Sequence, residues 1–159
     1  MASVQSFGFG TYRFETGPEV TQLDSNLVLG MFIWSDAPDY HHREIDIEIS
    51  RWGQPGDNNV QFVVQPYTIP GNLVRFMLPP ANSASIHSFT WTAGQVVFET
   101  VSGGVLVKRE VIRRNIPEPG GENARINLWS MLPHWARDGV AELVIKRFSF
   151  EPPTKLGTK

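Results

Sequence analysis

The chain has no cysteine, which excludes disulfide bridges and thiolate metal sites from its architecture. It also lacks a long apolar run: no segment approaches the ~20 residues that a membrane-spanning helix needs. The opening stretch, Met1-Ala2-Ser3-Val4-Gln5-Ser6-Phe7-Gly8, has neither a basic region nor an apolar stretch, so no signal peptide is expected in it. Charge is sparse and balanced, with 14 Lys and Arg against 16 Asp and Glu and a net charge of −2. The clustered Lys and Arg that mark an electrostatic nucleic-acid binder are missing. Neither a nucleic acid nor a membrane is therefore expected as a partner. A helical repeat of apolar positions is absent too, over any window of about 11 residues.

What is present is extended chain. Segments rich in Val, Ile, Phe, Trp and Thr fall near 9–16, 27–34, 43–50, 60–67, 73–78, 86–91, 95–101, 105–113, 124–130 and 140–150. Turn chemistry separates them. Pro55-Gly56-Asp57-Asn58-Asn59 and Ile69-Pro70-Gly71-Asn72 each break two strands, and Pro117-Glu118-Pro119-Gly120-Gly121 reads as a longer loop. Ser102-Gly103-Gly104 suits a tight hairpin, because glycine reaches positive φ without strain. With 159 residues, 41% of them hydrophobic, the chain can bury one substantial core. The reading is a single all-β domain over 1–151, a sandwich of two curved antiparallel sheets, followed by a tail at 152–159.

One segment stands apart from ordinary strand chemistry. In Glu44-Ile45-Asp46-Ile47-Glu48, three acids alternate with isoleucines, and Ile49 extends the pattern. Strict alternation places the carboxylates on one sheet face and the isoleucines in the core. Acids crowded on one strand face repel, and neither Glu nor Asp is a good strand former, so the arrangement points to a site. Two carboxylates are the minimum equipment for cleaving a glycosidic bond, one ionised to attack carbon and one protonated to release the leaving sugar. A third acid nearby holds the pair at different proton affinities. Glu44 and Glu48 are four positions apart, roughly 13 Å along a straight strand at about 3.3 Å per residue. The about 5–5.5 Å that a retaining mechanism wants requires a strand lying across a concave sheet, with Asp46 hydrogen-bonded between the glutamates.

These residues resemble the E-[ILV]-D-[IVAF]-E signature of glycoside hydrolase family 16, which includes lichenases, laminarinases, xyloglucan endotransglycosylases, agarases and carrageenases. Flanking segments agree in order. Phe7-Gly8-Phe9-Gly10-Thr11-Tyr12-Arg13-Phe14 looks like the family's YGYGxYEVR strand, and Leu29-Gly30-Met31-Phe32-Ile33-Trp34 like the strand before the signature. Val60-Gln61-Phe62 is similar to its VQF, Ile86-His87-Ser88-Phe89-Thr90-Trp91 to FHTYxxDW, and Ile126-Asn127-Leu128-Trp129 to MNLW. The resemblance implies a concanavalin A-like jelly roll and a retaining, endo-acting hydrolase or transglycosylase acting on a β-linked polysaccharide. Glu44 would be the nucleophile, Glu48 the general acid/base and Asp46 the assisting acid, with no cofactor. An extracellular location is also implied.

Trp34 and Trp129 fall where the family places cleft aromatics and are the candidate stacking platforms for sugar rings. Trp52, Trp91 and Trp135 are either further platforms or core. Gln61 and Asn127 are candidates for sugar hydrogen bonds, though Asn127 could instead tie down a turn. His41 and His42 adjoin the signature, but neighbouring strand residues point to opposite faces, so no metal site is expected there. His87 is read as structural.

The chain also departs from the family. Only six residues precede Phe7, where family members usually have several dozen. That predicts an uncovered sheet edge and either a homodimer or completion by a partner chain. Arg43, Thr90 and Gly103 stand where acids are usual. Val144 replaces an Asp that binds calcium in some members, so no structural calcium is expected. The reading outside catalysis is a carbohydrate-binding jelly roll without turnover.

Overall fold

Burial alternates cleanly along Gly10–Thr16 and Gln95–Ser102. The computed structural model, which describes residues 1–40, 43–54, 56, 58–132 and 141–153, has eleven strands. They are β1 (Ala2–Ser6), β2 (Gly10–Thr16), β3 (Leu27–Trp34), β4 (Ile45–Ile49), β5 (Val60–Val64), β6 (Leu73–Phe76), β7 (Ser85–Thr92), β8 (Gln95–Ser102), β9 (Val105–Ile112), β10 (Asn123–Ser130) and β11 (Ile145–Glu151). Two short 3-10 turns, Pro18–Gln22 and Pro38–Tyr40, complete the regular structure of the described residues. One sheet has the order β1-β10-β3-β4-β5-β6 and the other β11-β2-β7-β8-β9. Their pairings are antiparallel. The all-β jelly-roll reading holds.

The core is built from alternate residues of both sheets. Leu29, Met31 and Ile33 of β3 and Ile45, Ile47 and Ile49 of β4 are fully buried, as are Tyr12, Phe14, Phe89, Trp91 and Phe98 of the opposite sheet. The Phe62 and Phe98 rings stack between the sheets at 4.8 Å, and Tyr12 stacks on Phe89 at 4.7 Å. Burying one such ring contributes roughly 1.5–3 kcal/mol. The isoleucines of the acidic segment therefore anchor β4 and decide which way its acids face. Gly103 and Gly104 take φ of 57° and 80°, closing the β8–β9 hairpin as the sequence predicts.

Several boundaries differ from expectation. Ala2–Ser6 forms a strand that the sequence reading omits. It is almost wholly exposed and carries one β-branched residue, so its place comes from pairing with β10, more than a hundred residues away. The segment expected at 43–50 is regular only over Ile45–Ile49, which leaves Glu44 just ahead of the strand. The last strand starts at Ile145; residues 141–144 are irregular, and 140 lies outside the described residues, as does most of the expected tail. Beside β1, a cavity of about 340 Å³ opens between the sheets, lined by Met1, Phe14, Ala124, Ile126, Ile145 and Phe148. It lies on the core side of the sheet, away from the acids.

Two residues with open sequence readings belong to this interior. Trp91 is fully buried and its indole N–H donates to the Pro117 carbonyl at 2.9 Å, so it is core and not a sugar platform. His87 is fully buried with Nδ1 3.0 Å from Thr100 Oγ1, and burial pushes its pKa down to about 4. The imidazole is therefore neutral in the folded protein, while the unfolded chain takes up a proton near pH 6.5. The unfolded state binds more protons between those values, so stability falls as pH drops from about 6.5 to about 4. His87 alone should account for a loss of about 3 kcal/mol across that window. Denaturant titrations of wild type and His87→Asn at pH 7 and pH 4.5 check this. An equal acid loss in both proteins would refute it.

Candidate active site

Strand register assembles the site on the sheet face turned away from the core. Glu48 on β4 lies between Gly30 on β3 and Gln61 on β5. Beyond them lie Asn127 on β10 and Arg75 on β6, making one row across five strands. The next row holds Arg125, Phe32, Asp46, Val63 and Leu73. Glu44 precedes β4, and its carbonyl accepts the Gln65 N–H at 3.0 Å, which carries the pairing one step past the strand. Gly30 gives the Asn127 side chain its place, since a Cβ there would sit 2.5 Å from Asn127 Oδ1 and displace it. The absent side chain leaves Glu48 open toward β10.

The three acids form one electrostatic cluster. Asp46, 4% exposed, has its carboxyl pushed well above the usual range, first by burial and then by the charge of Glu44, a hydrogen bond with Glu44, and the charge of Glu48. Gln65 Nε2 donates to Asp46 Oδ2 at 3.2 Å and opposes that rise. Glu48 is half-buried, and burial raises its carboxyl too. The amide of Gln61 donates to Glu48 Oε2, and this bond together with the charge of Arg75 pulls Glu48 back down. Closely spaced carboxyls in graded burial cannot all ionise together. The cluster thus disfavours the ionised form of Asp46, which has a glutamate on either side.

The candidate aromatics and amides fall around this cluster. Trp34 ends β3, and its indole N–H donates to Asp36 Oδ1 at 3.1 Å. Asp36 in turn accepts from Arg125 through both oxygens, at 3.2 and 2.6 Å. Trp129 sits on the same face of β10 as Asn127 and is 44% exposed, with room for a ring to stack. Asn127 is mid-strand, so the turn-tying alternative falls away. Gln61 is buried beside Glu48. Trp52 is no open platform: the Arg75 guanidinium lies over its ring at 4.2 Å. Trp135, His41 and His42 lie outside the described residues.

Sequence reasoning missed Gln65, Arg75 and the Asp36–Arg125 pair. The signal for Gln65 was available, because Gln61, Val63 and Gln65 continue the period-two face of β5. Arg75 carried no such signal, since its place beside Gln61 depends on the β5–β6 register.

No protein-family model matches the chain, and no curated protein matches its sequence. Solved structures do match. A glycosidic hydrolase aligns with 96% of this chain and 68% of its own, at 22% identity and a TM-score of 0.63. A prokaryotic β-1,3-1,4-glucanase (lichenase) derived from a mouse hindgut metagenome aligns with 96% and 70%, at 22% identity and a TM-score of 0.65. The β-glucanase of Bacillus licheniformis aligns with 89% and 64%, at 25% identity and a TM-score of 0.56. The chain spans about two thirds of the length of these enzymes, and at such identities the likeness is one of fold. The chain has the jelly roll of the glycoside hydrolases, and the resemblance to glycoside hydrolase family 16 carried by its acid signature stands.

Proposed function

We propose that the chain is a retaining, endo-acting glycoside hydrolase or transglycosylase acting on a β-linked polysaccharide. The carrying observation is the acid cluster, in which buried Asp46 is hydrogen-bonded to Glu44, flanked by Glu48 and pushed well above the usual carboxylate range, first by burial. A neutral Asp46 donates to the Glu44 carboxylate, which attacks the anomeric carbon and forms a glycosyl ester as the C–O bond to the leaving sugar breaks. Glu48, raised by burial, gives its proton to the departing oxygen. As a carboxylate it then takes a proton from water or from an acceptor hydroxyl, whose oxygen displaces Glu44 from the sugar. Two displacements at one carbon return the original configuration.

Trp34 and Trp129 offer ring faces to pyranose C–H surfaces, and Asn127 offers an amide to sugar hydroxyls. The structural neighbours named for β-1,3-1,4-glucan and β-glucan cleavage support a glucan as the first substrate to try. Reducing-sugar release across a panel of β-glucans and galactans, with proton NMR of the first-formed anomer, tests the reading. Release with retained configuration is expected. Tight glycan binding with no release on any polymer would replace the enzyme with a carbohydrate-binding module.

The apolar cavity beside β1 supports a further element of the proposal, a homodimer formed across that sheet edge. Sedimentation at increasing concentration should show the dimer, and a monomer throughout would reject it.

A further inference from the structure

The geometry points to Arg75 as a positioning residue that locks the Gln61 amide in the orientation donating to Glu48, with Trp52 as its platform. A primary amide has a donor and an acceptor of nearly equal size, and rotating it by half a turn exchanges them at little steric cost. Facing Glu48 with its NH₂, Gln61 favours the carboxylate; facing it with its oxygen, it could bind only the protonated acid. Arg75 removes the second option. Its Nε–H donates to Gln61 Oε1 at 2.9 Å, and a guanidinium has no acceptor with which to satisfy a flipped NH₂.

Arg75 is itself pinned by the ring of Trp52, 4.2 Å from its Cζ. Trp52 is fixed in turn by its backbone N–H, which donates to Ser50 Oγ at 2.8 Å just past the end of β4. The clamp begins at Glu48 on β4 and ends at Ser50, the residue just past that strand. Arg75 donates to Gln61 rather than to Glu48, so beyond the pull of its charge on Glu48 its role is exerted through Gln61.

The charged groups around Glu48 are few. Its own strand carries Asp46, with Glu44 just before it, and β6 carries Arg75, while β3 and β5 present Gly30 and Gln61, which bear no charge. Burial drives Glu48 toward the protonated form, and the Arg75–Gln61 pair opposes it. A residue that must act first as acid and then as base needs that balance. This kinetic consequence rests on the reading of Glu48 as the acid/base, whereas the titration consequence does not.

The test is carbon-13 NMR titration of the Glu48 side-chain carboxyl in the whole chain, assigned by its loss in Glu48→Gln. Arg75→Met should raise the Glu48 midpoint by roughly half a pH unit or more, and Arg75→Lys, which keeps the charge, should recover part of that rise. In a Gln61→Leu background, Arg75→Met should move the midpoint less, because the link through the amide is gone and only the charge remains. On mixed-linkage β-1,3-1,4-glucan, Arg75→Met should carry the alkaline limb of kcat/KM upward by the same amount. Should Arg75→Met not fold, Trp52→Leu leaves β6 untouched and should raise the midpoint in the same direction. An unmoved midpoint, or an equal rise with and without Gln61, would overturn the inference. A raised midpoint in a protein that hydrolyses no polysaccharide would uphold it and remove only the enzymatic reading.

Discussion

Glu44→Gln is expected to lower turnover by at least about a thousandfold while leaving the fold and glycan binding in place. The amide is nearly the size of the carboxylate but cannot supply the electron pair that forms the glycosyl ester, so the loss falls on kcat rather than on binding. The substitution also removes the Glu44 charge that, after burial, raises the Asp46 carboxyl. Asp46 should then ionise more readily, and the protein should remain folded because Glu44 lies outside β4 and is not in its core. Circular dichroism and affinity electrophoresis in a glucan gel check fold and binding, and reducing-sugar release checks turnover. Full activity in Glu44→Gln would sink the mechanism, whatever the substrate.

Glu48→Ala should separate the two steps of the reaction. A general acid is needed to expel a sugar alkoxide but hardly at all for a good leaving group such as a dinitrophenolate. Hydrolysis of natural oligosaccharides should therefore fall by roughly 10²–10⁴-fold, while formation of the glycosyl-enzyme from an activated aryl glycoside is spared. Breakdown of that intermediate should still be slow, because Glu48 also activates the water. Azide needs no general base, so adding it should restore turnover and give a glycosyl azide of retained configuration. An inverted azide would exchange the roles of Glu44 and Glu48. Equal losses on both substrates without azide rescue would make Glu48 structural, a support for Gln61 and Arg75 across β5 and β6.

The acids show why β4 could be read so far from its sequence. Ile45, Ile47 and Ile49 have one place to go in a sandwich, and burying them turns Asp46 and Glu48 to the opposite face. Period-two alternation is a local property of the chain, so strand identity, the face of each acid and the Gly103-Gly104 hairpin were all legible in it. The crowding of Glu44, Asp46 and Glu48 was legible as well, whereas their separate roles came only from the family resemblance and remain a proposal. The Trp residues were less legible. Trp34, Trp91 and Trp129 look alike in sequence, yet one is tied to Asp36, one is sealed in the core against Pro117, and one stands half exposed.

By itself, then, the sequence determined an all-β chain, the alternation of β4 and the acids that a glycosidic mechanism could use. The tertiary structure decided what those acids touch. Strand order and register are agreements between distant segments, and no local pattern encodes them. They brought Arg75 and Gln61 to Glu48, Gln65 to Asp46 and Asn127 over Gly30, and they placed exposed Ala2–Ser6 as a strand on β10. Burial of Asp46 and Glu48 was likewise beyond the sequence, because it depends on how closely the neighbouring strands and loops pack over the face. That packing sets the proton affinities on which the proposed chemistry depends.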